Sequence, residues 1–328
     1  MSKPAPRVEG VSRSSETLLD LSLSRGALDR AAELRKDPDL LPRLLGDRAT
    51  RVLELVGGSA EVVEARGEVG LHLRPPHRGD LSALGLFLGR DEEGTSYVAV
   101  VGDPVDEGEP REWRSLRDVA VLLSDRDSGL FTTALALANW HAKHTHCPRC
   151  GSPTTAQHGG WVRRCTNDGT EHYPRTDPAV IMSVVDADDR LLLARGPQWG
   201  EARYSVLAGF VEPGESLETA VAREVHEEVG VVVEDVRYLG NQPWPFPCSL
   251  MVGFTATAKD TIFRLDEDEI VEAIWVSREE LARGVEDGRI GISPRLSIAR
   301  RLIEHWYGAE IDQPVEWTAP TRPTEQKG

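Results

Sequence analysis

The chain has no long apolar run, few cysteines, few aromatics and a deficit of positive charge. Each shortage narrows what it can be. No stretch reaches the roughly 18 apolar residues of a membrane span, and the opening MSKPAPRVEG lacks the apolar centre of a secretion signal. A cytoplasmic protein with no membrane partner is expected. Four cysteines in 328 residues cannot staple the fold, and three of them, Cys147, Cys150 and Cys165, cluster. In a reducing compartment that pattern reads as metal binding. Lys and Arg number 38 against 54 Asp and Glu, a formal net charge of −16. Such a chain repels a phosphate polymer at long range, so nucleic-acid binding requires a local basic patch that opposes the total. If the substrate carries phosphates, cations must offset the protein's own carboxylates, and metal ions are the economical source.

What is present is ordinary globular material. Hydrophobic residues make up 40%, with 30 glycines besides, which excludes collagen-like and wholly disordered chains. At about 150 residues per domain the length suggests two domains. There is no repeat of fixed period. Short β-like runs occupy Val52–Val56, Ala60–Val63, Val69–Leu73 and Tyr97–Val101. A helix is expected from Leu130 to about His144, with Asp127 or Ser128 as its cap. After the cysteine-bearing stretch, a second α/β segment opens with strands at Val180–Val185 and Leu191–Leu193. The end of the chain carries Pro314, Pro320 and Pro323 with little apolar pattern and reads as a strap or disordered tail.

The most informative segment is GFVEPGESLETAVAREVHEEVGV, residues 209–231. Its residues from about Ser216 to Val229 are strong helix formers, and Gly230 stands where a left-handed cap ends a helix. On a wheel of about 100° per residue with Leu217 at zero, Val221 and Val225 fall near 40° and 80°, Glu224 near 340° and Glu228 near 20°. These two acids therefore lie on the stripe that should face the protein; Glu227, near 280°, lies beside it, and His226 faces water. Carboxylates packed inward repel one another and lose hydration unless cations neutralise them, and hard divalent ions with oxygen ligands suit that task. The wheel alone does not separate this reading from an acidic surface helix.

The spacing does. Gly209, Glu215, then Arg223-Glu224-Val225-His226-Glu227-Glu228-Val229-Gly230 match the Nudix box at each specified position. Seven fixed identities at roughly 6% usage each arise by chance about 3 × 10⁻⁹ of the time, which removes coincidence. The chain resembles the Nudix hydrolases, which cleave a nucleoside diphosphate from its linked moiety. Two further features resemble the NADH pyrophosphatase subfamily: the stiff loop Gln242-Pro-Trp-Pro-Phe-Pro-Cys-Ser249, about 12 residues after the box, and the two knuckles Cys147-Pro-Arg-Cys150 and Cys165-Thr-Asn-Asp168. The subfamily has cysteine at all four knuckle positions. Here the fourth is Asp168, so a Cys₃Asp zinc site is expected; the alternatives are His172 or His146 as the fourth ligand, or a ribbon that holds no zinc.

The resemblance implies an α/β (α+β) protein. A Nudix α-β-α sandwich at 177–308 would follow a zinc ribbon at 141–176 and an N-terminal mixed α/β domain at 1–140, with a flexible tail at 309–328. It further implies Mg²⁺ or Mn²⁺ held by Glu224, Glu228, Glu269 and the Ala208 carbonyl. Glu227, or second Glu215, would be the base, with Arg223 orienting the glutamates. Substrate contacts are implied for Tyr173 and for Gln242, Pro243, Trp244, Pro245, Phe246, Pro247, Cys248 and Ser249. Ala299, Arg117 and Phe210 are further candidates for such contacts. Cys248 also reads as a small buried residue, Arg117 as a surface ion pair, and Phe210 as a core aromatic. The implied reaction converts NADH or NAD⁺ to NMN(H) and AMP, in a homodimer that also removes NAD caps from RNA. For RNA, Arg163, Arg164 and Arg175 are the candidate basic patch, against solvated surface charge. Other readings are a Nudix hydrolase of ADP-ribose or dinucleoside polyphosphates, or a non-catalytic NAD(H) sensor.

Overall fold

The computed structural model describes residues 17–18, 21–102 and 112–312. The opening segment and the three tail prolines lie outside the described residues. The chain divides into two compact units, one containing residues 21–177 and 242–250, the other 178–241 and 251–312.

In the first unit a seven-stranded sheet has the central order Glu68–Leu71, Ser59–Ala65, Arg51–Val56, Ser96–Val101, Leu84–Arg90. Arg51–Val56 and Ser96–Val101 run parallel, with Leu53 opposite Ala99. Both read as near-continuous apolar runs because both faces are covered, and Val52, Leu53, Val98 and Ala99 are buried. The strand Leu84–Arg90 gave no alternating signal, since its sequence LGLFLGR breaks the pattern with glycine. Gly89 is obligatory there: a Cβ would stand 2.3 Å from the Asp29 carbonyl oxygen, where the chain pairs back on Arg90. The long helix spans Asp125–Lys143 and so begins five residues before the sequence pattern suggested. Ser124 caps it, its hydroxyl accepting from the Asp127 N–H, because the first turn is polar and carries no apolar periodicity. The cysteine region forms an antiparallel sheet of Thr154–Gln157, Val162–Cys165 and Glu171–His172.

The second unit holds an open six-stranded sheet in the order Val233–Trp244, Ser249–Ala258, Asp177–Val185, Leu191–Arg195, Glu272–Val276. Leu207–Phe210 pairs antiparallel with Asp177–Val185, placing Ala208 opposite Ile181. Its helices are Leu217–Val229, Arg278–Glu286 and Ile298–Tyr307. The start of the expected tail is tied down. Ile311 is buried, and its N–H donates to Glu304 while its carbonyl accepts from Arg300.

Candidate active site

The site is built from a short strand and the helix that follows it. The helix Leu217–Val229 is capped by the Ser216 hydroxyl, which accepts from the Thr219 N–H, and ends at Gly230 with φ 74°. A Cβ on Gly230 would meet Arg264 at 2.7 Å, so glycine serves both the left-handed cap and the close approach. Ala220, Val221, Val225 and Val229 are buried, and Glu224 and Glu228 are buried with them, while His226 and Glu227 are exposed. The wheel is thereby realised in space.

Gly209 explains how Glu224 reaches the strand. A Cβ at that position would stand 1.9 Å from the Glu224 carboxyl carbon, so only glycine lets the carboxylate lie against the backbone beside Ala208. Arg223 gathers the rest. Its guanidinium donates to Glu215 Oε1 (2.6 Å) and Oε2 (3.1 Å), to Glu224 Oε1 (2.8 Å), to Glu227 Oε2 (2.9 Å) and to the Phe210 carbonyl (2.9 Å). A planar fork with five N–H groups is suited to tie several carboxylates at once. These acids raise the Arg223 pKa further, Glu215 most, and Arg223 in turn holds the Glu215 carboxyl below its ordinary range.

Glu228 lies outside this network. Its Oε2 is buried with no hydrogen-bond partner. Burial, then the nearby charges of Glu224, Glu269, Asp266 and Glu227, push its pKa up to about 8. Burial also raises Glu224, against the opposing pull of Arg223. Glu269 is exposed, on a loop fixed to the helix end by the Asp266 N–H donating to the Glu228 carbonyl (3.0 Å). A buried, unpartnered carboxylate oxygen among other carboxylates is a poor arrangement for a protein alone and a good one around a divalent cation, so the residues present fit such an ion. The carboxylate oxygens of these glutamates do not all come within 4.8 Å of one another.

The ribbon does bring its ligands together. Among the described residues, one set of three or more metal-capable side chains has ligand atoms all within 4.8 Å of one another: Cys147, Cys150, Cys165 and Asp168. Hydrogen bonds from Ser152 bring the Cys150 thiol down to about 7 and those from Thr170 bring Asp168 down to about 2, while burial and the neighbouring Asp168 and Cys150 push the Cys165 thiol up to about 11. His146 and His172 take no part in the set; His146 meets the Thr145 hydroxyl instead. Three sulfurs and one oxygen fit a closed structural zinc site.

The aromatic loop, residues 242–250, is part of the first unit. Trp244 and Phe246 meet edge to face, ring centroids 5.0 Å apart, and the Arg117 guanidinium lies 3.8 Å from the Phe246 ring centroid and 5.2 Å from that of Trp244. Arg117, the loosest of the sequence candidates, thus joins the loop by cation–π contact. Asn139 donates to the Pro245 carbonyl (2.9 Å), a support that the sequence did not signal. Gln242 is fully buried, its Oε1 accepting from the Leu23 N–H, and offers no amide to solvent. Cys248 meets Asp177, whose N–H donates to the Cys248 carbonyl, and the Pro247 carbonyl accepts from Asn139; Ser249 begins the next strand. Tyr173 and Phe210 are 65% and 60% exposed, so both rings are free to meet a planar ligand, which removes the core reading for Phe210. Ala299 is buried at the start of the last helix, its N–H taken by the Ser297 hydroxyl.

The loop–helix–loop with its inward glutamates, set against an open sheet, defines a Nudix hydrolase. Comparison with known proteins agrees, for residues 175–296 match the NUDIX domain model, 142–173 the NADH pyrophosphatase zinc ribbon domain and 52–140 the NADH pyrophosphatase-like rudimentary NUDIX domain. The chain is 40% identical over 312 residues to the NAD-capped RNA hydrolase NudC of Mycobacterium bovis, covering 88% of this chain and 95% of that one. Its Mycobacterium tuberculosis counterpart is 39% identical over the same shares. The human NAD-capped RNA hydrolase NUDT12 is 38% identical over 196 residues, 56% of this chain and 42% of that one. The chain belongs to the NudC-type NADH pyrophosphatase family of Nudix hydrolases. Among the described residues no helix is long and apolar enough to cross a membrane.

Proposed function

We propose that this protein is a cytoplasmic, homodimeric NAD(H) pyrophosphohydrolase that converts NADH or NAD⁺ and water to NMN(H) and AMP, and that it removes NAD caps from RNA by the same bond cleavage. The observation that carries the reading is the buried, unpartnered Glu228 oxygen beside an otherwise complete glutamate set wired to Arg223. A non-catalytic sensor has no use for that arrangement. The aromatic loop with Arg117 supports the dinucleotide over other diphosphates, because two rings and a guanidinium offer planar faces to bases.

In this reading the domains are 1–140, 141–176 for the ribbon and 177–308 for catalysis, with 309–328 as a tail. Glu224, Glu228, Glu269 and the Ala208 carbonyl would hold Mg²⁺ or Mn²⁺, and Cys147, Cys150, Cys165 and Asp168 would hold Zn²⁺. A bound divalent ion supplies charge that offsets the diphosphate and lowers the pKa of water. The chain's own part is positional and basic. Arg223 holds Glu215, Glu224 and Glu227 in register. Glu215 accepts two guanidinium N–H bonds and the Glu212 N–H, which commits its lone pairs and keeps it ionised. Glu227 keeps one oxygen clear of Arg223 and faces solvent, so it is the better base. It takes a proton from the water that adds to phosphorus as the P–O anhydride bond breaks. Tyr173, Phe210, Arg117 and the loop would meet the substrate, with Ala299 contributing backbone.

The test is incubation of the pure protein with NADH and Mn²⁺, followed by separation of AMP from adenosine and of NMNH from nicotinamide. AMP and NMNH in equal amounts are expected. Stoichiometric NADH binding without AMP release overturns the enzyme reading, and faster turnover of ADP-ribose than of NADH overturns the substrate.

A further inference from the structure

An enzyme of net charge −16 that handles a cap borne on RNA requires one surface that a phosphate backbone tolerates. Two of the three arginines around the ribbon do not supply it. Arg163 donates to His141 Nδ1 (2.8 Å) and to the Thr154 carbonyl (2.7 Å), and Arg175 is paired with Asp177. A different set of cations lies elsewhere in the same unit. The Arg35 guanidinium lies 3.7 Å from the Trp161 ring centroid and that of Arg30 5.5 Å from it, while the Trp161 indole N–H is fixed on the Phe87 carbonyl (2.8 Å).

Two cavities flank this stack. The smaller, about 150 Å³, is lined by Arg30, Thr132 and Pro243 among others, and Pro243 belongs to the aromatic loop. The larger, about 510 Å³, is lined by Lys36, Gln157 and His158, and by Asp37, whose charge Arg43 offsets, over an apolar floor that includes Leu41 and Leu84. Arg30 thus lines the cavity that Pro243 also lines, and Lys36, next to Arg35 in the chain, lines the one that holds His158.

Arg35 donates to the Arg30 carbonyl (3.1 Å), but no carboxylate among the described residues pairs with this series. Among the described residues Arg30, Arg35 and Lys36 form no salt bridge, whereas the neighbouring Arg25 and Arg43 pair with Asp125 and Asp37. Glu33 acts on Arg35 only at a distance. Two polar atoms along the series, Arg35 Nε and Thr132 Oγ1, are buried with no partner. In an acidic chain where so many arginines find a carboxylate, three adjacent cations left without one mark a place kept for an external anion.

We propose that this series is the track for the single-stranded body of a capped RNA, with phosphates against Arg30, Arg35 and Lys36 and one nucleotide in the larger cavity. Single strands are held by a cationic groove with planar platforms, guanidinium planes included, and a cavity of this size suits one nucleotide. The inference rests on the cap-removal reading above.

The test uses the full chain with Arg30→Gln and Lys36→Gln together; both residues are exposed, so folding is spared. Binding of an uncapped 5′-monophosphate RNA of about ten nucleotides is followed by fluorescence anisotropy, beside turnover of NADH and of NAD-capped RNA. The double variant should keep wild-type turnover of NADH. It should bind the RNA about tenfold more weakly, with the slope of its salt dependence flattened by about 0.7 for each phosphate no longer neutralised. Equal RNA affinity in variant and wild type overturns the track, as does absence of RNA binding by the wild type. AMP that displaces the RNA at equal concentration overturns the chain reading in favour of a free nucleotide site. A wild type that binds the RNA and cleaves NADH but not the cap overturns the cap-removal reading while leaving the surface in place.

Discussion

Asp80 in the first unit and Glu228 in the second are both carboxylates withdrawn from water, and they are treated in opposite ways. Asp80 receives both terminal nitrogens of Arg74 (2.8 and 2.7 Å) and the His77 N–H (2.9 Å). Burial works against its anion, yet Arg74 and the His77 N–H overcome it and hold the carboxyl below its ordinary range. Asp127, in the same unit, accepts from the Leu71 N–H and from Arg126. Glu228 has an oxygen with nothing, among acids that add to its cost. Among the described residues, the first unit satisfies its buried acids and the second leaves one unsatisfied. A buried charge with partners belongs to structure, and one without them belongs to chemistry. This contrast fits the match of the first unit to a rudimentary Nudix domain and of the second to a complete one.

The sharpest way to break the contrast is Glu228→Gln. The change keeps the shape and removes the charge, so turnover of NADH with Mn²⁺ should fall by on the order of 10³-fold or more, since the site loses stabilisation of a kind worth about 10²–10³ for a single neutral donor. The metal-free variant should melt no lower than the wild type. A variant that keeps a tenth of wild-type turnover, or one that unfolds, would show that Glu228 is structural after all. Asp80→Asn is the mirror experiment and the next in size. It strips Arg74 of its principal partner and should cost about 3 kcal/mol in denaturant unfolding. Turnover per folded molecule should stay unchanged. A loss of Mn²⁺ affinity in that variant would dissolve the distinction between the two acids.

A third test uses pH on the metal-free protein. Glu228 is raised from its ordinary value to about 8, so the folded state binds its proton more tightly than the unfolded one does. Its contribution is complete below about pH 4.5 and is lost as pH rises through about 8, by an amount on the order of 2 kcal/mol after allowance for relaxation. Asp80 has the reverse sign: its contribution is present above about pH 3.8 and is lost as pH falls through its lowered folded value. Thermal melts of wild type and Glu228→Gln from pH 5 to 9 should diverge upward in pH, and Mn²⁺ should close the gap. Parallel curves would mean that Glu228 meets water and is not desolvated.

How far the sequence revealed these things depends on whether the partners are local. The inward acids were legible because a helix fixes angle by spacing, and Glu215 because the motif fixes its separation from Arg223. That Cys147, Cys150, Cys165 and Asp168 come together was legible from the spacing of the two knuckles. The role of Gly209 was not, since it depends on the close approach of Glu224, fifteen residues on, to a neighbouring strand. Gln242 sits inside a loop whose motif implies substrate contact, yet the fold buries it against Leu23. Nor does any spacing join Arg30 and Arg35 to Trp161, which meet only through the packing of the ribbon on the first sheet. The strand Leu84–Arg90 was hidden by its glycines, and the first turn of Asp125–Lys143 by its polarity.

The ribbon offers the smallest effect and sets the limit of the contrast, because there too a carboxylate sits among metal-capable groups, yet it is exposed and accepts the Thr170 N–H (2.9 Å). If Asp168 is a zinc ligand, replacing it with Cys converts a mixed set into four sulfurs, which a soft-leaning ion prefers. Zinc retention against a chelating dye should then rise about tenfold, while Asp168→Ala should lower it and NADH turnover should change by less than about twofold in either variant. Because the site is structural and distant in sequence from the glutamates, metal affinity and activity ought to separate. Identical zinc retention in the Cys, Ala and wild-type proteins would place Asp168 with Asp80, as a carboxylate that shapes a turn and never meets a metal.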